Sequence, residues 1–167
     1  MKELEGKTAL ITGASRGIGA ATARELAKQG VSVILAARSV DDLEVLAADI
    51  CEGGGNAQAI ACDVSCYRDV DAAVTLCQTA FGRFDILVNN AGVIEPIARL
   101  ADSDPDLWDN IVDINYKGVY HGLRAALPIM EAQGRGPVLL STSARARRQV
   151  HWRGGVIIVR PKRPYCR

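Results

Sequence analysis

Thr12-Gly13-Ala14-Ser15-Arg16-Gly17-Ile18-Gly19 joins an apolar run, Thr8-Ala9-Leu10-Ile11-Thr12, to a segment of helical period. A short continuous apolar run suits a strand buried on both faces of a parallel sheet. From Ile18 to Gln29 the period is helical: Ile18, Ala21, Thr22 and Leu26 share one face, Lys28 lies in the last turn, and Gly30 is placed to cap it. Glycines between strand and helix leave backbone N–H groups bare at a helix N-terminus, where unpaired donors and the helix dipole attract an anion. The spacing is Gly-xxx-Gly-x-Gly rather than the general dinucleotide fingerprint Gly-x-Gly-xx-Gly, and an ordinary glycine-rich turn is the competing reading. Context favours the anion site. A second strand, Val31 to Ala37, follows at once and ends on Arg38, near the ~20-residue offset of a ribose-reading position.

Beyond the glycine loop the segments alternate strand and helix, the pattern of a parallel sheet with crossover connections. Val40 to Glu52 carries Leu43, Leu46, Ala47 and Ile50 on one face and is stopped by Gly53-Gly54-Gly55. Asn56 to Cys62 reads as a third strand. Ser65 is placed to cap a helix with the stripe Val70, Ala73, Val74, Cys77 and Phe81, ended by Gly82. Asp85 to Val88 is a fourth strand. Asp104-Pro105 then supplies a cap and an N1 proline for a helix running past Asn115 toward Met130, which Pro128 should bend or end. Val138 to Ser143 reads as a fifth strand, and Val156 to Val159 has the composition of a short further one.

Four ordered motifs resemble the classical short-chain dehydrogenases/reductases. They are the Thr-Gly-xxx-Gly-Ile-Gly loop, Asp63-Val64, Asn89-Asn90-Ala91-Gly92, and Asn115 within Ile114-Asn115-Tyr116-Lys117-Gly118; the wording of the loop is common among 3-oxoacyl-carrier-protein-reductase-like members. The resemblance covers residues 6 to 143. It implies an α/β doubly wound parallel sheet, a Rossmann fold, here expected to be incomplete after the fifth strand. It also implies that Gly13, Ser15, Arg16, Gly17, Ile18, Gly19, Arg38, Asp63, Val64, Asn90, Ala91 and Gly92 bind a cofactor, with Asp63 holding the adenine ring. Of the catalytic tetrad, Asn115 matches the asparagine and Ser143 the serine.

Hydride transfer needs a carbonyl or alcohol held against a nicotinamide and a group that exchanges a proton with its oxygen. In the family that group is a tyrosine whose pKa is lowered by a lysine four residues later. The residues four places after Tyr67, Tyr116 and Tyr120 are Asp71, Tyr120 and Arg124, and Tyr165 lies two residues from Arg167. The absent pair coincides with a change of charge: residues 1 to 143 hold 12 Lys and Arg against all 19 acids, whereas 144 to 167 hold 8 basic residues and no acid. The expected organisation is therefore a dinucleotide-binding domain over 1–143 and a basic tail over 144–167 that is foreign to the family. A shifted reading frame or a genuine tail for an acidic partner would each give such a segment.

Arg38 at the end of the second strand and Arg16 in the loop favour NADP(H) over NAD(H), because guanidinium pairs with a 2′-phosphate where an acid would accept from a 2′-OH. The expected substrate is a small carbonyl or alcohol, its identity open. The alternative is a catalytically inactive dinucleotide-binding fragment. Neither nucleic acid nor membrane is expected as a partner, and a homo-oligomer, possible for the family, is doubtful for this chain. With 49% hydrophobic and 23% charged residues and no apolar run near the ~20 residues of a bilayer span, the chain is expected in the cytoplasm. No metal is expected: Asp102, Asp104, Asp106 and Asp109 read as a solvated helix start. Cys51, Cys62, Cys66, Cys77 and Cys166 read as small hydrophobes in a reducing compartment, His121 and His151 as surface or core-packing residues, and Trp108 and Tyr116 as helix packing.

Overall fold

The computed structural model describes residues 4–94, 97–134, 138–141 and 156–158, the last two segments as backbone. Six strands, β1 (Thr8–Thr12), β2 (Ser32–Ala37), β3 (Ala57–Ala61), β4 (Ile86–Asn89), β5 (Val138–Ser141) and β6 (Val156–Ile158), form one sheet in the order β3-β2-β1-β4-β5-β6. Every pairing is parallel. The order runs one way from β1 to β3 and the other way from β4 to β6, so the direction of winding reverses between β1 and β4. Such a switch point opens a crevice at the carboxyl ends of those strands.

The helices are α1 (Gly17–Lys28), α2 (Val40–Glu52), α3 (Tyr67–Phe81), α4 (Pro105–Val112) and α5 (Gly118–Ala132), the last two joined by a π-helical turn, Asp113–Lys117. Strand alternation sorts the core into two layers. Leu10 lies in register with Ile34 and Leu87 and packs with Val70, Val74, Phe84 and Met130 under α3 and α5. Ile11 lies in register with Leu35 and Val88 and packs with Leu43, Leu46 and Ile50 under α1 and α2. Each fully buried Leu or Ile contributes about 1.5–3 kcal/mol, so the two layers, rather than helix propensity, hold the fold.

Several expectations are corrected. The sheet does not stop at its fifth strand, because Val156–Ile158 pairs with the open edge of β5. The apolar composition of the run suggests a strand, and pairing with β5 satisfies its backbone groups. The buried face of α1 is Gly19, Ala20 and Ala23, while Ile18 is half exposed. Small residues take that face because α1 approaches the loop before it closely: a Cβ on Gly19 would collide with the Gly13 carbonyl. Pro128 does not end α5, which continues to Ala132; the proline sits on the exposed face while Ala125, Ala126 and Met130 are buried. Ser65 does not cap α3. Cys66 is the N-cap, without a side-chain cap bond, and the Ser65 hydroxyl is taken by a stronger acceptor, the Asp63 carboxylate at 2.7 Å. Ser143, His151, Cys166 and the boundary at residues 143 and 144 lie outside the described residues. Among the described residues, no helix is long and apolar enough to cross a membrane.

Candidate functional site

The crevice at the switch point is a groove of roughly 980 Å³ whose wall comes from the ends of β1, β2, β3 and β4 and from the π-helical turn. Its floor is built by close approach of backbone. Gly13 has φ +62°, and a Cβ there would lie 2.8 Å from Ala91 Cα. Gly17 has φ +59° and open space where its Cβ would be. Side chains at either position would strain the turn, and at Gly13 would also push the two walls apart. Ala20 is the first residue of α1 whose N–H finds a backbone acceptor, Arg16 O at 3.5 Å. The N–H groups of Gly17, Ile18 and Gly19 are thus left as the orphan donors of the helix start. Glycine loop and helix start together fit a pyrophosphate: there is bare backbone, room, and a positive dipole end.

The loop is held by residues nearly eighty positions away in sequence. Thr12 is 3% exposed; its Oγ1 donates to Val88 O at 3.3 Å and accepts from Asn90 N at 3.0 Å and Ala91 N at 3.1 Å. Asn90 Nδ2 donates to Thr12 O and Gly13 O, both at 3.0 Å. Asn90 therefore shapes the cradle through its amide, while Ala91 and Gly92 line the groove beside it.

On the ribose side, Arg16 and Arg38 are exposed and line the groove, and neither forms an ion pair with another described residue. Asp63 and Val64 line the next stretch. Asp63 Oδ1 accepts from Ser65 Oγ at 2.7 Å and Ser65 N at 2.9 Å. Those two bonds, outweighing partial burial and helped by the charge of Arg38, hold its carboxyl below the usual range. Asp69 Oδ2 accepts from the backbone N of Asp63 at 3.0 Å, which fixes the main chain that carries the carboxylate. Cys62 behind it is buried; burial first, then the negative charges of Asp69 and Asp63, push its thiol up to about 12, so it is a packing group rather than a nucleophile.

Asn115 sits in the π-helical turn, where the Gly118 N–H reaches back five residues to Asp113 O. Its Oδ1 accepts from Val93 N at 2.9 Å and its Nδ2 donates to Val93 O at 2.8 Å. This pairing engages one donor and one acceptor position of the amide in the manner of a strand neighbour, and fixes the Asn90–Val93 wall to the helix. The asparagine side chain thus organises the groove wall.

The structure brings Gly13, Ser15, Arg16, Gly17, Ile18, Arg38, Asp63, Val64, Asn90, Ala91, Gly92 and Asn115 to one groove, with Gly19 packed immediately beneath Gly13. Tyr116 corrects an expectation: it is 71% exposed and lines the groove mouth rather than packing. Trp108, likewise expected to pack, is 54% exposed on α4. Cys51 and Cys66 are exposed, unlike Cys62 and Cys77. His121 packs as expected: Nδ1 lies 2.9 Å from Val64 O and the ring meets Tyr67 edge-on. Asp104 caps α4 by accepting from Asp106 N, and no metal-ligating cluster occurs among the described residues. Sequence reasoning missed Ser39, Asp42, Ser65 and Asp69. The signal available for the last two was an acid and a hydroxyl within a turn of Asp63.

A family model described as short chain dehydrogenase matches residues 7–154. An uncharacterized oxidoreductase of Staphylococcus haemolyticus is 47% identical over 146 residues, which cover 87% of this chain and 62% of that protein. The short-chain reductase protein NovJ of Streptomyces niveus is 40% identical over 139 residues, 83% of this chain and 53% of that one. Among solved structures, a short chain dehydrogenase/reductase from Burkholderia phymatum in complex with NAD superposes with a TM-score of 0.82 at 33% identity, covering 87% of this chain and 52% of that one. A metagenomic short-chain oxidoreductase in complex with NADP does so with a TM-score of 0.79 at 40% identity, covering 88% and 66%. The chain spans 62% and 53% of the length of the two sequence relatives.

Proposed function

The chain belongs to the short-chain dehydrogenase family, and from that premise we propose that its groove binds NADP(H) for hydride transfer to or from a small carbonyl or alcohol. The observation that carries the reading is the convergence on one groove of the glycine loop, two guanidiniums without an ion-pair partner among the described residues, the Asp63 carboxylate and the Asn90–Gly92 wall. The loop backbone and the α1 start hold the pyrophosphate, Arg16 and Arg38 the 2′-phosphate, and Asp63, kept ionised by Ser65, accepts from the adenine amino group. A bound nicotinamide supplies the hydride acceptor or donor. Asn115 fixes the Val93 wall that would help to hold the ring, and Tyr116 and Ile94 line the groove where a substrate would approach it. The 3-oxoacyl-carrier-protein-reductase-like wording of the loop makes a β-keto thioester a natural member of the substrate panel. The protein is read as cytoplasmic, and a homo-oligomer as doubtful for this chain.

A second reading is binding without turnover, favoured by the absence within these 167 residues of a tyrosine with lysine four places on. Ser143, matched to the family serine by resemblance, and Asn115 are the two tetrad matches in the sequence in either reading. Fluorescence titration of the purified chain with NADPH and NADH, followed by NADPH oxidation over a ketone panel, separates the two. NADPH binding supports the cofactor reading and turnover the catalytic one. Absence of binding to both dinucleotides by folded protein defeats the reading.

A further inference from the structure

The ribose end of the groove holds an anion as well as two cations. Asp42, in the first turn of α2, lines the groove together with Ala37, Arg38 and Ser39. Ser39 is the N-cap of α2, yet its hydroxyl caps no backbone N–H; it donates instead to Asp42 Oδ2 at 2.9 Å. Asp42 is exposed and has no ion-pair partner among the described residues. Its neighbour Asp41 shares the same helical turn without lining the groove. A single hydroxyl donor disperses only part of a carboxylate's charge, so a phosphate entering beside Arg38 meets a residual negative field that a plain ribose does not.

We propose that Asp42 is a specificity-determining residue of the cofactor groove: it opposes the 2′-phosphate that Arg16 and Arg38 attract, and so narrows the preference for NADP(H) over NAD(H). The proposal rests on the cofactor reading above. Arg38 and Asp42 line the same groove four residues apart, so the acid acts on the end of the groove that the guanidinium reads. An asparagine at position 42 retains an acceptor for Ser39 and for a ribose hydroxyl while removing the charge, so it isolates the electrostatic contribution.

The experiment is parallel titration of the full wild-type chain, D42N and D41N with NADPH and NADH, at low and at near-molar salt. D42N is expected to tighten NADPH roughly three- to tenfold at low salt, as removal of one screened unit charge near a dianion should. NADH should change by about twofold or less, since the hydrogen-bonding atoms remain. The gain should shrink at high salt, where the Debye length falls to about 3 Å. D41N should leave the NADPH to NADH ratio where the wild type has it. Equal changes for both cofactors, no change for NADPH, a salt-independent gain, or the same gain in D41N would each overturn the proposal. A wild-type chain that binds neither dinucleotide defeats the cofactor reading itself, and the proposal with it, before any variant is compared.

Discussion

Thr12 concentrates more of the site's geometry than any other single side chain, because one buried hydroxyl donates once and accepts twice across the β1–β4 seam. Replacing it with isosteric valine leaves the packing volume intact but strands the N–H groups of Asn90 and Ala91 in a part-buried wall. T12V should cost about 1–3 kcal/mol of unfolding free energy, read as a lower urea midpoint with an unchanged m-value, and should weaken dinucleotide binding in parallel. A second seam closes at the opposite end of β4. Asp85 accepts from Thr8 N at 2.9 Å and from Arg83 Nε at 2.6 Å and Nη2 at 2.5 Å. Burial alone would raise its carboxyl, but Arg83 and the Thr8 N–H outweigh burial and hold it below the usual range. A carboxyl depressed in the folded state contributes stability above its unfolded pKa of about 3.9 and loses it as pH falls through the lower, folded value. D85N should therefore be less stable than wild type at neutral pH and converge with it in acid; a constant gap from pH 7 to pH 2 would refute this role. The identities of Gly13, Asn90 and Asp63 were legible in the sequence because a phosphate cradle and an adenine contact demand those residue types. Their supports were not, since Thr12 meets its partners 76 to 79 positions away and Ser65 looked like a helix cap.

At the scale of elements, α5 shows how a helix is set against the sheet by absent side chains. Gly118 and Gly122 stand one turn apart on its buried face; a Cβ on Gly118 would lie 2.8 Å from Val64 Cγ2, and one on Gly122 would collide with Asn89 Oδ1. The atoms met are those of the Asn89 side-chain amide, which at 5% exposure on β4 has little room to turn away. G122A should be destabilising by about 1–3 kcal/mol, the usual cost of overpacking, even though alanine is the better helix former by about 1 kcal/mol; a stabilised G122A would show that α5 does not seat this closely. The strands and most helix boundaries were legible because period 2 and period 3.6 patterns are local. The contact face of α1 was not legible, since periodicity marks the larger apolar residues where closeness of approach governs. The π-helical turn had no signature, because a single five-residue step in the hydrogen-bond ladder alters no residue type. Its consequence is considerable: it aims Asn115 at Val93 and so carries a remote helix to the groove wall.

The whole molecule places its groove where the two halves of the sheet diverge, so every wall comes from a different crossover unit and none survives unfolding of the others. A ligand there binds the folded state alone and stabilises it by RT ln(1 + [L]/Kd), about 2.7 kcal/mol at one hundred times Kd. For a chain of this size, that corresponds to a rise in Tm of about 5–10 °C. NADPH at that excess should produce the rise in the wild type. R38A should lose most of the NADPH shift at a fixed ligand concentration while keeping that of NADH, since only the former presents a phosphate to the guanidinium. Equal loss for both would mean that Arg38 supports the end of β2 rather than reads the cofactor. A rise with NADH that exceeds the one with NADPH would reverse the order of preference argued from Arg16 and Arg38, and would move the weight of the ribose site onto Asp42. Thermal shift thus tests the assembled groove as one object, because a defect in any wall, from Thr12 to the π-helical turn, lowers the ligand-induced rise as well as the starting Tm.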